Sequence, residues 1–245
     1  MTPSGSVFIT GASRGLGRAL ALAFADSGAR LVLCARGADE LGRVAAEARA
    51  AGAECLASPV DVTDSGAVEG LVAEAEERWG AIGALVNNAS VLGPRAPLAE
   101  HTPEQWRGAL DVNLTGAWIA CRAVLPGMRR AGSGSIINVT SSVGDEPRPG
   151  WGIYAVSKWA LEGLTWNLAL EEGDHGIRVN AVNPGGMRTE MRRDAYPRED
   201  PASVPQPAEI AGVFLWLASR DSAGVSGRRF EARSWRPEAD GAGGG

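Results

Sequence analysis

The sequence predicts an α/β fold built on one doubly wound parallel sheet with helices on both faces. Six short apolar runs have the length and β-branched content of buried strands. A helical pattern separates each run from the next, and that alternation is typical of a parallel sheet. The chain has 245 residues, which suits one large domain. No linker or internal repeat interrupts it, so we expect a single domain over residues 1–235.

The composition excludes several classes of protein. Hydrophobic residues make up 44% of the chain, and the net charge of −5 offers no basic surface for nucleic acid. No apolar run reaches the roughly 18 residues of a membrane span. The three cysteines are far apart, so we expect neither a disulfide framework nor a bound metal. The polar amino terminus does not resemble a signal peptide, and we expect a reducing, cytoplasmic setting.

The first predicted strand, residues 7–10, runs into a glycine-rich turn and then a helix that ends near Gly28. Such a turn lets the backbone approach a pyrophosphate, and the helix amino terminus offers free N–H groups. The spacing Gly-x3-Gly-x-Gly differs from the commonest dinucleotide fingerprint. A turn without a ligand is therefore the alternative. The candidate cofactor residues in this turn are Gly11, Ser13, Arg14, Gly15, Leu16 and Gly17.

The second predicted strand, residues 31–36, ends in an arginine. An NAD enzyme places an acidic residue there to bind the ribose hydroxyls. Arg36, with Arg14 from the glycine turn, suits a 2′-phosphate, which a guanidinium can bind through two hydrogen bonds. The alternative is that both are surface arginines. The pair favours NADP(H) as the cofactor, with NAD(H) second.

A predicted helix over residues 39–51 leads to a short third strand over residues 54–57. Asp61 and Val62 follow that strand, at the edge where an adenine amino group could be recognised. An aspartate that only stabilises a turn is the alternative.

The fourth predicted strand, residues 82–86, is followed by Asn88, whose amide could line a cofactor crevice. A helix over residues 102–130 then begins with a threonine cap and a proline. Residues 111–116 within it have poor helix propensity. Such a local conflict often marks a functional or strained position.

The fifth predicted strand, residues 135–139, ends in a cluster of hydroxyl side chains at residues 140–142. A loop over residues 144–152, rich in glycine and proline, separates this cluster from the next helix. The cluster again lies at the carboxyl edge of the sheet.

Tyr154 and Lys158 are four residues apart and share one face of a predicted helix that extends to about residue 172. A nearby ammonium favours the phenolate and lowers a tyrosine pKa from its usual value of about 10. Lys158 is the only lysine in the chain, which has 24 Lys+Arg in total, and Tyr154 is one of only two tyrosines. A chain that uses arginine elsewhere therefore needs an ammonium at this position.

The last part of the chain contains a sixth strand over residues 177–182, a helix over residues 208–218 and a final strand over residues 228–232. Residues 187–207 are charged and poor in apolar side chains. We interpret them as a mobile flap that gates substrate, with a plain surface connection as the alternative. Residues 236–245 are expected to be a disordered tail.

Taken together, these motifs resemble the short-chain dehydrogenase/reductase family, in its compact single-domain branch. The resemblance spans about residues 5–230. It implies a Rossmann fold of about seven strands that binds NAD(P), and hydride transfer between the cofactor and a ketone or secondary alcohol. The matching positions are residues 10–17, Asn87-Asn88-Ala89, Asn113, Ser141, Tyr154, Lys158 and Asn183-Pro184-Gly185.

The resemblance implies a role for each catalytic position. Tyr154 is the general acid/base, and Ser141 orients the substrate oxygen, with Ser142 as the alternate. Lys158 lowers the tyrosine pKa and holds the nicotinamide ribose, while Asn113 holds a water that joins Lys158 to solvent. The candidate cofactor set also gains Pro184, Gly185 and Thr189.

The chain departs from the family pattern at two places. Ser90 stands where a glycine is usual, and we expect only a local change in the turn. The final strand lacks the usual Asp-Gly-Gly ending, which leaves the carboxyl-terminal subunit contact open. The family nevertheless implies a homodimer or homotetramer. Trp159 and Trp166 could anchor that interface, with a place in the core as the alternative.

The predicted function is NADP(H)-dependent oxidation or reduction of a small carbonyl or alcohol substrate. Two alternatives stay open. One is a protein that binds the cofactor without redox chemistry, either a sensor or an enzyme that uses the same scaffold. The other is a redox enzyme that adds dehydration or epimerisation. Sensors of this lineage tend to lose the tyrosine or lysine, and this chain keeps both.

Overall fold

The computed structural model describes residues 5–237, which form a seven-stranded parallel sheet of order β3-β2-β1-β4-β5-β6-β7. This architecture confirms the predicted doubly wound sheet. The strands are β1 Ser6–Thr10, β2 Arg30–Ala35, β3 Cys55–Pro59, β4 Ile82–Asn87, β5 Gly134–Val139, β6 Ile177–Asn183 and β7 Arg229–Glu231.

The helices that cover the sheet form two layers, one on each face. The first layer contains α1 Gly15–Asp26, α2 Ala38–Ala50 and α8 Gly212–Ala218, and the second contains α3 Ser65–Trp79, α5 Gly116–Ala131 and α6 Gly152–Glu172. Two further helices, α4 Pro103–Leu110 and α7 Glu190–Ala195, lie in the connections between these elements.

Strand β1 shows why the sequence forms a buried parallel sheet. Its apolar side chains alternate between the two helix layers, and all of them are buried. Val7 and Ile9 contact the same core as Phe24 of α1, whereas Phe8 lies in the core on the other face with Val124 of α5. A strand covered on both faces needs an almost continuous apolar run. That run is the feature that identified β1 in the sequence.

The strand order reverses between β1 and β4, because the chain first builds outward to β3 and then continues from β4 to β7. Ligands of open α/β sheets bind in the crevice at the carboxyl ends of the strands beside such a switch point. The glycine turn after β1 and the polar segment after β4 both lie at this edge.

Several predicted boundaries differ from the structure. The helix predicted over residues 102–130 is divided into α4, a π-helical turn Asp111–Thr115, and α5. The helix predicted over residues 208–218 begins as a 3-10 turn, Pro207–Ile210, and α8 follows only after it. The predicted flap contains α7, and residues 238–245 of the predicted tail lie outside the described part of the chain.

Candidate active site

The glycine turn is shaped by two close backbone approaches. A Cβ atom at Gly17 would lie 2.2 Å from the Gly11 carbonyl oxygen, and one at Gly11 would lie 2.8 Å from the Ala89 Cα. Gly11 also has a positive φ of 65°. Only glycine fits these positions, so the turn holds the amino terminus of α1 close to β4.

Asn88 fixes the shape of this turn. Its Nδ2 donates to the carbonyl oxygens of Thr10 at 2.9 Å and Gly11 at 3.1 Å, and its backbone N–H donates to the Thr10 hydroxyl at 3.0 Å. Both amide protons of the side chain are therefore used within the protein. Asn88 thus contributes to the predicted cofactor site by positioning the turn.

Other residues of the turn differ in what they can offer a ligand. The Leu16 side chain is buried in the core, so only its backbone amide can face the cleft. Ser13 is partly buried and Arg14 is exposed. Arg14 is the N-cap residue of α1, and its Nη1 lies 2.5 Å from the Glu190 carboxylate at the start of α7.

Asp61 follows β3 and closes a turn of its own. Its Oδ1 accepts hydrogen bonds from the backbone N–H of Thr63 at 3.0 Å and from the Thr63 hydroxyl at 2.8 Å. These bonds, with a smaller contribution from the Arg36 cation, lower the pKa of Asp61. The structure therefore brings Arg36 and Asp61 together at this edge, and the turn role predicted as the alternative for Asp61 is present. Val62 is buried against Gly116.

Tyr154 is buried near the start of α6, beside Trp151 and Val143. Burial raises the pKa of Tyr154 to about 12, and a hydrogen bond with the Ser141 side chain opposes that increase. The direction is opposite to the decrease predicted from Lys158. The reason is that removing the phenolate from water costs more than the neighbouring groups of the protein recover.

Lys158 is 2% exposed and lies on the same helix face as Tyr154. Its Nζ donates to the Val139 carbonyl oxygen at 2.8 Å and lies 5.6 Å from the centre of the Tyr154 ring. Burial lowers the pKa of Lys158 to about 8, while Glu162 opposes the decrease. The ammonium is thus held between the end of β5 and the phenol.

Asn113 lies in the π-helical turn that separates α4 from α5. Its Nδ2 donates to the Val91 carbonyl oxygen and to the Ser157 hydroxyl, both at 2.9 Å. Its Oδ1 accepts from the Val91 N–H at 2.8 Å and from the Ser90 hydroxyl at 3.1 Å. Because all four positions of the side-chain amide are used, a water near Asn113 would bind the main chain.

Ser90 therefore does more than change a turn, which was the expectation from the sequence. Its hydroxyl is one of the two donors to Asn113, and a glycine at this position could not supply it.

The segment after β6 provides the other predicted cofactor positions. Pro184 and Gly185 leave the strand, and the Gly185 N–H donates to the Asn183 side chain at 3.0 Å. Thr189 caps α7 through a bond from the Arg192 N–H at 3.2 Å. The Thr189 methyl group lies 3.4 Å from where a Cβ of Gly15 would be, so this segment reaches the glycine turn.

Sequence reasoning missed a group of aromatic and cationic side chains beside Tyr154. The rings of Tyr196 and Trp151 are 5.8 Å apart, and the Arg95 guanidinium stacks 4.4 Å from the Trp151 ring centre. The Arg192 guanidinium stacks on Tyr196, 3.7 Å from its ring centre. No local pattern announces the contacts of Trp151 with Arg95 and Tyr196, because these residues are far apart in the chain; only Arg192 and Tyr196 are close, four residues apart.

Sequence reasoning also missed a charged group behind Ser141. Arg229 of β7 contacts Asp145 and the buried Glu162. The position of Glu162, four residues after Lys158 on the same helix, was a signal that could have identified it.

Comparison with known proteins decides the family. The model of the short chain dehydrogenase family matches residues 6–200. The chain belongs to this family. As a short-chain dehydrogenase it is an oxidoreductase, and its relatives agree. It is 34% identical to the uncharacterized oxidoreductase YciK of Escherichia coli (strain K12), over 94% of this chain and 92% of that protein.

Two further relatives of this short-chain dehydrogenase differ in the cofactor that their names mention. An uncharacterized NAD-dependent oxidoreductase of Mycobacterium tuberculosis is 38% identical, over 91% of this chain and 92% of that protein. A short chain dehydrogenase from Escherichia coli CFT073, crystallised with NADPH, is 34% identical, with a TM-score of 0.89. That match covers 94% of this chain and 97% of the other.

One further finding concerns membranes. Within residues 5–237 of this short-chain dehydrogenase, no helix is both long and apolar enough to cross a bilayer.

Proposed function

We propose that the protein transfers a hydride between NADP(H) and a ketone or secondary alcohol, with Tyr154 as general acid/base. The observation that supports this most directly is the arrangement around Tyr154. Its phenol interacts with the Ser141 side chain, and the Lys158 ammonium lies 5.6 Å from its ring centre. Proton transfer to a substrate oxygen needs a hydroxyl that donates the proton, a second hydroxyl that orients the substrate oxygen, and a fixed cation.

The nicotinamide supplies the hydride when it is bound. Ser141 positions the substrate oxygen, and Tyr154 gives or takes its proton. Because the pKa of Tyr154 is about 12, the phenol holds its proton at neutral pH. It can donate that proton to the substrate oxygen as the carbonyl is reduced. Lys158 stabilises the phenolate that remains and binds the nicotinamide ribose. Asn113 positions its π-helical turn so that the main chain can hold a water beside Lys158.

The glycine turn fits the pyrophosphate of a dinucleotide, because its glycines leave room for a ligand beside the backbone and the start of α1 offers free N–H groups. Arg36, beside Asp61 at the carboxyl edge of the sheet, supports NADP(H) over NAD(H). The NADPH complex of the E. coli CFT073 relative also supports this preference. The M. tuberculosis relative, named as NAD-dependent, is the opposing observation.

We also propose that the protein works as a homodimer or homotetramer in the cytoplasm. Trp159 and Trp166 of α6 are 45% and 48% exposed, so the alternative of a core position is wrong for both. Trp118 on the neighbouring helix α5 is 46% exposed. Three half-exposed tryptophans on two helices of one layer suit a protein interface.

The first test is to measure NADPH oxidation with a panel of ketones and NADP⁺ reduction with the corresponding alcohols. We expect turnover with members of the panel, and we expect Tyr154→Phe to abolish it while NADPH binding persists. Ser141→Ala should lower kcat/KM by about 10²-fold, whereas Ser142→Ala should have little effect. Turnover retained by Tyr154→Phe would exclude Tyr154 as the acid/base.

A further inference from the structure

A buried ion pair lies one helical turn beyond Lys158. Glu162 of α6 is 1% exposed, and its Oε1 accepts a hydrogen bond from the Arg229 Nε at 3.0 Å. Burial raises the pKa of Glu162, while the Thr140 hydroxyl and the Arg229 cation oppose that increase. A buried carboxylate is costly unless it is paired. The Arg229 cation therefore favours the charged form of Glu162 against the effect of burial.

The same guanidinium also binds the segment that presents Ser141. The Arg229 Nη2 donates to the Ser141 carbonyl oxygen at 3.2 Å, and Nη1 contacts the Asp145 carboxylate at 2.9 Å and the Glu231 carboxylate at 3.0 Å. One side chain thus joins β7, the loop after β5 and helix α6. The planar, multidentate guanidinium suits this role, and a lysine could not make all of these bonds at once.

We propose that Arg229 and Glu162 are positioning residues for the catalytic group: Arg229 fixes the Ser141 backbone, and Glu162 keeps the Lys158 ammonium charged. The second part follows from helix geometry, since Glu162 and Lys158 are four residues apart on one face of α6. The proposal rests on the proposed function for its catalytic meaning. Its electrostatic part concerns only the protein.

Glu162 is the carboxylate that affects the charge of Lys158. Tyr154 faces the ammonium from the same helix, and the Val139 carbonyl oxygen accepts its hydrogen bond from β5. Glu162 raises the pKa of Lys158 against the effect of burial. The other charged groups of the cluster meet at Arg229, which pairs with Glu162, with Glu231 of β7 and with Asp145 of the loop after β5.

The chain contains its own matched control. Glu172, at the end of the same helix, is also 1% exposed and is also paired with an arginine, Arg129 of α5. Its Oε2 accepts from the Arg129 Nε at 2.8 Å. Glu172 lies about four helical turns beyond Lys158, and within residues 5–237 neither Glu172 nor Arg129 forms an ion pair with a candidate catalytic residue. Substitutions of Glu172 or Arg129 therefore remove a buried ion pair that has no proposed role in positioning Ser141 or Lys158.

The electrostatic part can be tested without substrate or cofactor, because Lys158 is the only lysine. Protein grown with ¹³Cε-labelled lysine gives one lysine signal, whose chemical shift is followed against pH. We expect this signal to titrate at a lower pH in Glu162→Gln than in the wild type, and at the wild-type pH in Glu172→Gln. Equal titration of wild type and Glu162→Gln, or an equal change in both variants, would overturn the proposal.

The positioning part is tested on turnover. We expect Arg229→Gln to lower kcat/KM by about 10- to 100-fold, and Arg129→Gln to change it less than about twofold. Arg229→Lys keeps a positive charge beside Glu162. One of its two lysine signals, that of Lys158, should therefore titrate near the wild-type pH. Its kcat/KM should still be reduced, because a lysine cannot make all the bonds of Arg229. Equal losses in Arg229→Gln and Arg129→Gln would assign the effect to stability alone. If the wild type shows no turnover, the proposed function fails, and the Lys158 titration still decides the electrostatic part.

Discussion

The two central side chains of the candidate site respond to burial in opposite directions. The pKa of Tyr154 rises to about 12 and that of Lys158 falls to about 8, because burial disfavours the charged form of each. Both shifts favour the state in which the phenol and the amine are neutral. Each charged form therefore depends on a neighbouring opposite charge, which the phenolate and the ammonium provide for each other. Glu162 supplies a further countercharge to the ammonium.

Cofactor preference is also decided by single residues, and Arg36 is the one to test. We expect Arg36→Ala to raise the Kd for NADPH about 10- to 100-fold, because a charge-assisted hydrogen bond contributes about 1.5–3 kcal/mol. The Kd for NADH should hardly change, since NADH has no 2′-phosphate. Fluorescence titration with both nucleotides measures the effect.

Arg30→Ala is the control for that titration, because Arg30 begins β2 at the opposite edge of the sheet and pairs with Glu54. Equal affinity of the wild type for both nucleotides, together with an unchanged NADPH affinity in Arg36→Ala, would contradict the prediction.

At the scale of elements, the glycine turn depends most strictly on residue size. We expect Gly17→Ala to destabilise the protein and to remove NADPH binding, because its Cβ would lie 2.2 Å from the Gly11 carbonyl oxygen. Gly42→Ala in α2 should instead stabilise the helix by up to about 1 kcal/mol, since alanine is the better helix former and no heavy atom lies within 4 Å of the added Cβ. Thermal unfolding and nucleotide titration of both variants compare the two effects. A Gly17→Ala protein that melts and binds like the wild type would show that the turn can adjust.

The elements also show what could be predicted from the sequence. Strand β1 was identifiable because burial on both faces requires a short run of apolar residues. The irregular turn at Asn113 was visible as a stretch of poor helix propensity within a helical pattern. The contact between Arg229 and Glu162 was not predictable, because the two residues are 67 positions apart and meet only when β7 joins the sheet. Helix α7 was missed because it is only six residues long and most of them are charged, so Met191 and Ala195 alone mark its apolar face.

At the scale of the whole molecule, the exposed tryptophans predict assembly. We expect sedimentation to show a dimer or tetramer, and we expect Trp166→Glu to shift it towards smaller species, because a carboxylate in an apolar interface must be desolvated. Ala46→Glu adds the same charge to an exposed site on α2, in the other helix layer, and should leave the assembly unchanged. A monomeric wild type would contradict the prediction.

Alkaline pH should destabilise the whole protein. Burial raises the pKa of Cys34, Cys121 and Tyr154 to about 12. The unfolded values are about 8.5 for Cys and 10 for Tyr, so the stability that these groups contribute is present below about pH 8.5 and is lost as the pH rises towards 12. Lys158 acts in the opposite sense between about pH 8 and 10.4, because its folded pKa is lowered.

The free energy of unfolding lost through the thiols should exceed the free energy gained through Lys158. The reason is that two thiols release protons on unfolding over the pH range where one lysine takes one up. Urea unfolding at about pH 8 and pH 10 measures the change. Replacing both buried cysteines with alanine should remove this decrease between about pH 8 and 10, because the opposing contribution of Lys158 remains. A free energy of unfolding that stays constant over this range would contradict the prediction.

The ion pair between Arg14 and Glu190 has a kinetic consequence. It connects the turn after β1 to the segment after β6, across the edge where the dinucleotide would lie. Both side chains are exposed, so the pair adds less than about 1 kcal/mol and breaks readily. A nucleotide whose phosphates bind Arg14 would have to break this pair. The lifetime of the pair should therefore influence how fast the nucleotide enters and leaves.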